Sequence, residues 1–92
     1  MTTQTLISVP VIVLPEEGST GSDPVSISGT AVPNATVEVA ASGALVLSVS
    51  VDPSGRWQGQ AKLAKGVHQI NARQQFNGST SVWSPVRTFT VD

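Results

Sequence analysis

Few side chains in this sequence are able to do chemistry: the 92 residues contain one His, six carboxylates and five cations, with no Cys and no Tyr. His68 has no second His or Cys with which to share a metal ion. As a catalytic base it would need a nucleophile and an orienting carboxylate, and the spacing of the many Ser and Thr residues singles none out. We interpret His68 as a strand residue at a sheet margin, and we predict that the chain is not an enzyme.

The acidic residues offer little to a calcium ion. Calcium takes about six to eight oxygen ligands, several of them usually carboxylates. Glu16, Glu17 and Asp23 share one loop-like stretch, but they form no alternating carboxylate run. Asp52 is better explained as the first residue of a turn, and Asp92 would complete a site only with a neighbouring module. We therefore expect no cofactor, and a calcium site only at such a domain junction.

Trp83, with Phe76 and Arg87 nearby in the sequence, is the strongest candidate for a binding site. Exposed aromatic side chains on β-sandwiches stack against sugar rings, so Trp83 and Arg87 are candidate ligand-binding residues for a glycan or a protein. The alternative is that Trp83 packs beneath a loop, because no companion Tyr or Trp follows it. The sequence leaves both interpretations open.

The charge balance and the hydropathy pattern exclude two classes of partner. A net charge of −1 and five scattered Lys and Arg residues provide no basic surface for nucleic acid. The apolar run from Leu6 to Leu14 is interrupted by Ser8 and Pro10. It is too short for a membrane span of roughly 20 residues, and it lacks the basic residues that begin a secretory signal. We expect neither nucleic-acid binding nor membrane insertion, and we predict that the natural protein is longer than this sequence.

The remaining residues are typical of β-strands. The chain has 14 Val against 5 Leu, with 12 Ser and 9 Thr, and β-branched residues fit a half-buried pleated surface. Apolar residues alternate with polar ones in several stretches, which predicts strands with one buried face. Leu45, Leu47, Val49 and Val51 are predicted to form the longest apolar face, opposite Val46, Ser48 and Ser50. Trp57 begins the next strand and is predicted to lie in the core.

Turn signals separate these stretches. Asp52-Pro53-Ser54-Gly55 places each residue where a type I turn prefers it. Asn77-Gly78 is the favoured dipeptide of a two-residue hairpin, and Pro33-Asn34 and Ser42-Gly43 also indicate turns. About seven strands with a turn every eight to twelve residues or so predict an antiparallel β-sandwich.

The first 23 residues have two interpretations. Residues 6–14 are predicted to form a first strand, which Pro10 confines to a sheet edge or a bulge. Residues 15–24 contain three of the six acidic residues and could be a linker between modules or an ordinary loop. We predict one domain over residues 1–92, in which residues 1–23 form an edge strand and a linker-like loop.

Five stretches between Ser28 and Asp92 resemble, in order and spacing, the bacterial immunoglobulin-like domains found in tandem in large secreted and surface proteins. They are Gly29–Val39, Val51–Trp57, Leu63–Ala72, Gly78–Ser81 and Phe89–Asp92. The resemblance covers about two-thirds of the chain and implies an immunoglobulin-like sandwich of Greek-key type without a disulfide. Since one fold serves many functions, it implies less about activity.

The same resemblance implies a non-catalytic spacer or adhesion module of a longer bacterial protein, located outside the cell or on its surface. Its partners would be the neighbouring domains of the same chain, and the module itself would be monomeric. An accessory module that binds a carbohydrate or a host or cell-surface protein through Trp83 is the alternative. Where many of these domains carry an Asp, this chain has the stretch Gln75–Gly78, which weakens any expectation of calcium.

Overall fold

Alternating side chains and tight turns divide the chain into nine strands within residues 9–92, the part that the computed structural model describes. The sequence predicts about seven, and the two additional strands, β2 and β8, are only two residues long. Residues 6–8 of the predicted first strand lie outside the described residues. The strands are β1 Val11–Leu14, β2 Thr20–Gly21, β3 Val25–Thr30, β4 Thr36–Ala41, β5 Ala44–Ser50, β6 Arg56–Ala61, β7 Gly66–Phe76, β8 Ser79–Thr80 and β9 Arg87–Val91.

The strands form two sheets that pack face to face. Sheet A has the order β1-β3-β6, and sheet B has the order β2-β9-β7-β4-β5 with β8 paired to β7. Neighbouring strands are antiparallel except for β2 and β9, which are parallel. Because β1 is the outer strand of sheet A, Pro10 lies where the sequence places it, beside a sheet edge. The all-β sandwich is confirmed, and the absence of Cys excludes a disulfide.

The core lies between the sheets and is built from the predicted inward faces. Val25 and Ile27 of β3 are buried, whereas the intervening Ser26 is exposed. Trp57 is 3% exposed, which confirms its prediction as a core residue. The described core comprises Ile12, Val25, Ile27, Ala35, Val37, Val39, Ala41, Val51, Trp57, Ala61, Leu63, Ile70, Ala72, Phe89 and Val91.

The apolar face predicted to begin at Leu45 is wrong at that residue. The pairing of β4 with β5 shifts between Val39, opposite Leu47, and Ala40, opposite Leu45. Val46 is therefore an extra residue, and such a bulge reverses the side-chain alternation beyond it. Leu45, predicted to face the core, is 57% exposed, while Val46 packs against the core.

The predicted turns are all present. Asn34 at a φ of 68° and Asn77 at 50° occupy the left-handed region, which asparagine tolerates better than most residues. Asn77 and Gly78 both have positive φ, as the tight hairpin between β7 and β8 requires. In the Asp52 turn, the Gly55 N–H donates to the Asp52 carbonyl over 3.0 Å.

The chain enters and leaves the sandwich at opposite ends. Val11 at the start of β1 pairs with Thr30, close to the Asp52 turn and the loop at Asn34. We call this the hairpin end, because the Asn77-Gly78 turn also lies there. Val91 at the end of β9 pairs with Gly66, at the other end of β7. The ten residue steps along β7 correspond to roughly 33 Å, within a molecule of 51 × 24 × 18 Å.

Candidate functional site

His68 is engaged by the main chain around it. Its Nε2 lies 2.6 Å from the Ala64 carbonyl oxygen, and its ring centroid is 6.0 Å from that of Phe89. Its half-exposed position on β7 agrees with its interpretation as a strand residue. Within residues 9–92, no three His, Asp or Glu side chains lie close enough together to hold a metal ion.

Two carboxylates of the 15–24 loop accept hydrogen bonds from residues far along the chain. Glu17 Oε1 accepts from the Thr88 N–H over 3.0 Å, and Asp23 Oδ1 accepts from the Leu63 N–H over 3.0 Å. Main-chain bonds from Gly18 to Thr88 and from Thr90 to Ser19 add to this contact. The loop is therefore joined to β9 along much of its length. Whether residues 1–23 belong to the domain stays a prediction.

The Asp52 side chain organises its turn. Its Oδ1 accepts from the Arg56 N–H, the Ser54 N–H and the Ser54 hydroxyl over 2.8–3.0 Å. These bonds, the one from the Arg56 N–H foremost, lower the pKa of the Asp52 carboxyl below its ordinary value. The role predicted for Asp52, that of a turn residue, is the one its contacts show.

Trp83 projects from a break in the edge of sheet B. Past β8, the Ser81 N–H donates to the Gln74 carbonyl and the Ser84 N–H donates to the Ala72 carbonyl, over 2.9 and 2.7 Å. Only Arg73 lies between those two partners, whereas Val82 and Trp83 both lie between the serines. The extra residue makes the segment bulge outward, leaving Val82 76% and Trp83 39% exposed.

The two serine hydroxyls hold this bulge in place. Ser81 Oγ accepts from the Gln74 N–H and donates to the Val82 carbonyl. Ser84 Oγ accepts from the Ala72 N–H and donates to the Pro85 carbonyl. Both serines are buried. Because these side chains satisfy main-chain N–H groups of β7 where the neighbouring strand departs, they fix the position of Trp83 between them.

Trp83 belongs to a cluster on the outer face of sheet B. The Arg73 guanidinium lies over the Trp83 ring, with Cζ 4.6 Å from the ring centroid. Arg73 Nε donates to Glu38 Oε1 over 2.9 Å, and Gln75 Nε2 donates to the same oxygen over 3.1 Å. We call Trp83, Arg73, Glu38 and Gln75 the Trp83 cluster.

The residues grouped with Trp83 in the sequence lie elsewhere. Arg87 donates through Nη2 to the Ile12 carbonyl over 2.7 Å and through Nη1 to the Pro15 carbonyl over 3.1 Å, which ties β1 to β9. Phe76 is half-buried against the core. Ligand binding by Trp83 or Arg87 stays a prediction. Arg73, Glu38 and Gln75 were not predicted as site residues, although their positions on the polar faces of β4 and β7 were a usable signal.

Open cavities lie on the outer face of each sheet. One, of about 540 Å³, is on sheet A and is lined by residues that include Ser28, Thr30 and Gln58. Another, of about 520 Å³, lies at the hairpin end of sheet B, where Gln75, Thr36 and Thr80 are among its lining residues. Gln75 belongs both to this second cavity and to the Trp83 cluster, so the two features are continuous.

No protein-family model matches the chain, and no curated protein matches it. Among solved structures, it is similar to the fibronectin(III)-like modules of CbhA from Clostridium thermocellum, at 22% identity and a TM-score of 0.69 over 90% of this chain and 45% of that one. The chain thus spans about half the length of that structure. It is also similar to CopC from Methylosinus trichosporium OB3b, at 18% identity and a TM-score of 0.57 over 90% of this chain and 93% of that one.

These identities are low, so the likeness concerns the fold. The described residues contain no helix, and therefore none long and apolar enough to cross a membrane. The two-sheet topology and both structural matches agree with the architecture that the sequence predicts. The chain has the immunoglobulin-like β-sandwich fold that is also found in fibronectin(III)-like modules.

Proposed function

We propose that the chain is a non-catalytic structural module that spaces or presents other domains of a longer bacterial protein, secreted or attached to the cell surface. The observation that carries this proposal is the placement of the two ends. Within the described residues 9–92, β1 starts at the hairpin end and β9 finishes at the opposite end with Val91. Modules joined in series through such ends extend along one axis, each adding its own length.

Three further observations support the proposal. The solved structure that matches this chain with a TM-score of 0.69 consists of fibronectin(III)-like modules, and this chain spans 45% of it. The stretches between Ser28 and Asp92 resemble bacterial domains that occur in tandem. The edge strand β1 is short and is tied down by Arg87, which suits a monomer that contacts only the neighbours in its own chain.

An immunoblot of the source cells tests the proposal. An antibody raised against the 92-residue chain is expected to detect a protein much larger than 9.5 kDa, and to detect it in the surface or culture fraction. Antibodies to a cytosolic enzyme and to a known surface protein serve as fractionation controls. A 9.5 kDa band confined to the cytosolic fraction would contradict the proposal, because it would show neither a longer protein with neighbouring domains nor a location outside the cell.

The second candidate function is that of an accessory module that binds a glycan or a protein. The observation that favours it is Trp83, which is 39% exposed although two buried serines, hydrogen-bonded to β7, flank it. A large aromatic side chain that is held rigid and left accessible provides contact area at low entropic cost.

A further inference from the structure

We propose that the outer face of sheet B binds a neutral oligosaccharide, along a path from Trp83 across Arg73 and Glu38 to the cavity at the Asn77-Gly78 hairpin. This inference rests on the second candidate function, binding, and names its site and its class of ligand. It is independent of whether the module also acts as a spacer.

The members of the Trp83 cluster hold one another in place. Arg73 is held by Glu38 and at the same time lies over the Trp83 ring. The side chains of the Arg73–Glu38 pair are 34% and 18% exposed, so the pair is partly shielded from water. The indole therefore rests on a fixed support instead of moving freely at the surface. A binding platform that is ordered before the ligand arrives loses little conformational entropy when it binds.

Polar groups continue along the outer face of sheet B beyond Trp83. Arg73 and Gln75 are two residues apart on β7 and thus about 7 Å apart on the same face. Gln75 leads into the cavity of about 520 Å³, where Thr36, Thr80 and Asn34 also take part in the lining. That volume is within the usual range of small-molecule sites, about 300–1,000 Å³. An extended ligand of several rings would contact the aromatic platform and the cavity together.

The side chains along this path suit an uncharged, hydroxyl-rich ligand. Amide and hydroxyl groups both donate and accept hydrogen bonds, as the hydroxyls of a sugar do. Arg73 and Glu38 are the charged residues that the structure records in the cluster, and they neutralise each other. An uncharged, hydroxyl-rich ligand with one apolar ring face fits these groups. An anionic ligand finds no surplus positive charge in the cluster.

A protein partner fits this face less well. Protein interfaces depend on central aromatic and aliphatic anchors that become fully desolvated. Here Trp83 is the aromatic residue of the cluster, and its other three members, Arg73, Glu38 and Gln75, are polar. The observations therefore favour a glycan, and protein binding becomes one of the outcomes of the test.

A glycan array followed by an NMR titration tests the proposal. The array carries neutral hexasaccharides of glucose, mannose, galactose and N-acetylglucosamine beside sulfated and sialylated glycans, and a parallel array carries surface proteins. We expect binding to at least one neutral hexasaccharide. Because the chain has two Trp residues, the titration shows two indole N–H signals. That of Trp83 is expected to shift on addition of the bound hexasaccharide, while that of the buried Trp57 stays in place.

Variants locate the site. Trp83→Ala is expected to weaken binding of that hexasaccharide roughly tenfold or more, because one aromatic contact and the area that it buries are lost. Val82→Ala, at the exposed neighbouring position, is the matched control and should bind as the original chain does. Gln75→Ala should also weaken binding, whereas Gln58→Ala on sheet A should not.

The remaining outcomes distinguish the site, the class of ligand and the binding function. Glycan binding that survives Trp83→Ala, with an unmoved Trp83 indole signal, would overturn this site and leave the binding function standing. Binding only to anionic glycans or only to proteins would overturn the ligand class. An absence of binding on both arrays would overturn the site and the binding function together, but not the spacer function.

Discussion

Trp57 has the largest side chain of the described core, and its indole N–H makes no hydrogen bond. The indole is 3% exposed, and its Nε1 is buried without a hydrogen-bond acceptor. We predict that Trp57→Ala lowers the free energy of unfolding by about 3–5 kcal/mol, because it leaves a cavity between the sheets. Trp57→Phe should cost less, since no hydrogen bond is lost with the indole. Urea titrations measure both, and a loss below about 1 kcal/mol for the Ala variant would exclude Trp57 as a core residue.

Asp52 gives the fold a dependence on pH that is local to one turn. Hydrogen bonds from the Arg56 N–H and from Ser54 lower the pKa of its carboxyl in the folded chain. A lowered folded pKa means that the ionised form stabilises the fold. This contribution is complete above the ordinary pKa of an aspartate, about 4, and is lost as the pH falls through that value towards the lowered one.

We predict that Asp52→Asn removes this component of acid sensitivity. The urea midpoint of the original chain should fall more steeply below about pH 4 than that of the variant. At neutral pH the variant should be the less stable of the two, because an amide accepts these bonds less strongly than a carboxylate does. NMR titration of the Asp52 carboxyl gives its pKa directly. A value at or above that of an ordinary aspartate would contradict the account.

At the scale of elements, the contact between β1 and β3 depends on Gly29. A Cβ there would overlap the Val11 carbonyl oxygen and lie 2.8 Å from the Trp57 ring. Gly29→Ala must therefore displace β1. We predict that it lowers the free energy of unfolding by about 1–3 kcal/mol. Gly21→Ala, in β2, is the matched control because its Cβ would meet nothing within 4 Å. Equal urea midpoints for the two variants would show that β1 does not pack as described.

The elements also show which features a sequence can predict. The Asp52 and Asn77 turns and the alternation in β3 depend on a few adjacent residues, and all were predictable. The exposure of Leu45 was not, because it follows from a bulge set by the partner strand. Likewise, Gln74 is buried at 1% exposure, and its Oε1 accepts from the distant Val32 N–H. A contact between residues 42 positions apart leaves no local pattern.

The Trp83 cluster illustrates the same limit at the candidate site. Trp83 was identified from the sequence by its residue type and by its position after the Asn77-Gly78 turn. In that prediction Trp83 was grouped with Arg87, whose guanidinium instead binds the carbonyls of Ile12 and Pro15. The residue that does contact the ring is Arg73, because the bulge of Val82 and Trp83 brings the indole against it. Which cation meets an aromatic ring is decided by strand register, and register is a property of pairs of strands.

At the scale of the whole molecule, a spacer must resist tension between its ends. Force applied at the two termini pulls β1 and β9 along their own axes in opposite directions, because they begin and finish at opposite ends of the sandwich. Hydrogen bonds between strands run across those axes, so such a load shears all the bonds of a strand pair at once. The parallel pair β2–β9 and the bonds from Arg87 to Ile12 of β1 and to Pro15 share that load.

We predict that the force needed to unfold the chain depends on where it is held. Handles at the two termini should give a higher mean unfolding force than handles at Ser42 and the carboxyl terminus. Ser42 lies near the same end as Val91, since its N–H donates to the Gln69 carbonyl and Gln69 pairs with Thr88. Tension there peels the β4–β5 hairpin and breaks its bonds one after another. The chain has no Cys, so a Ser42→Cys variant accepts a thiol-linked handle at one position in an optical-tweezers measurement. Equal forces in the two geometries would contradict a tension-bearing spacer.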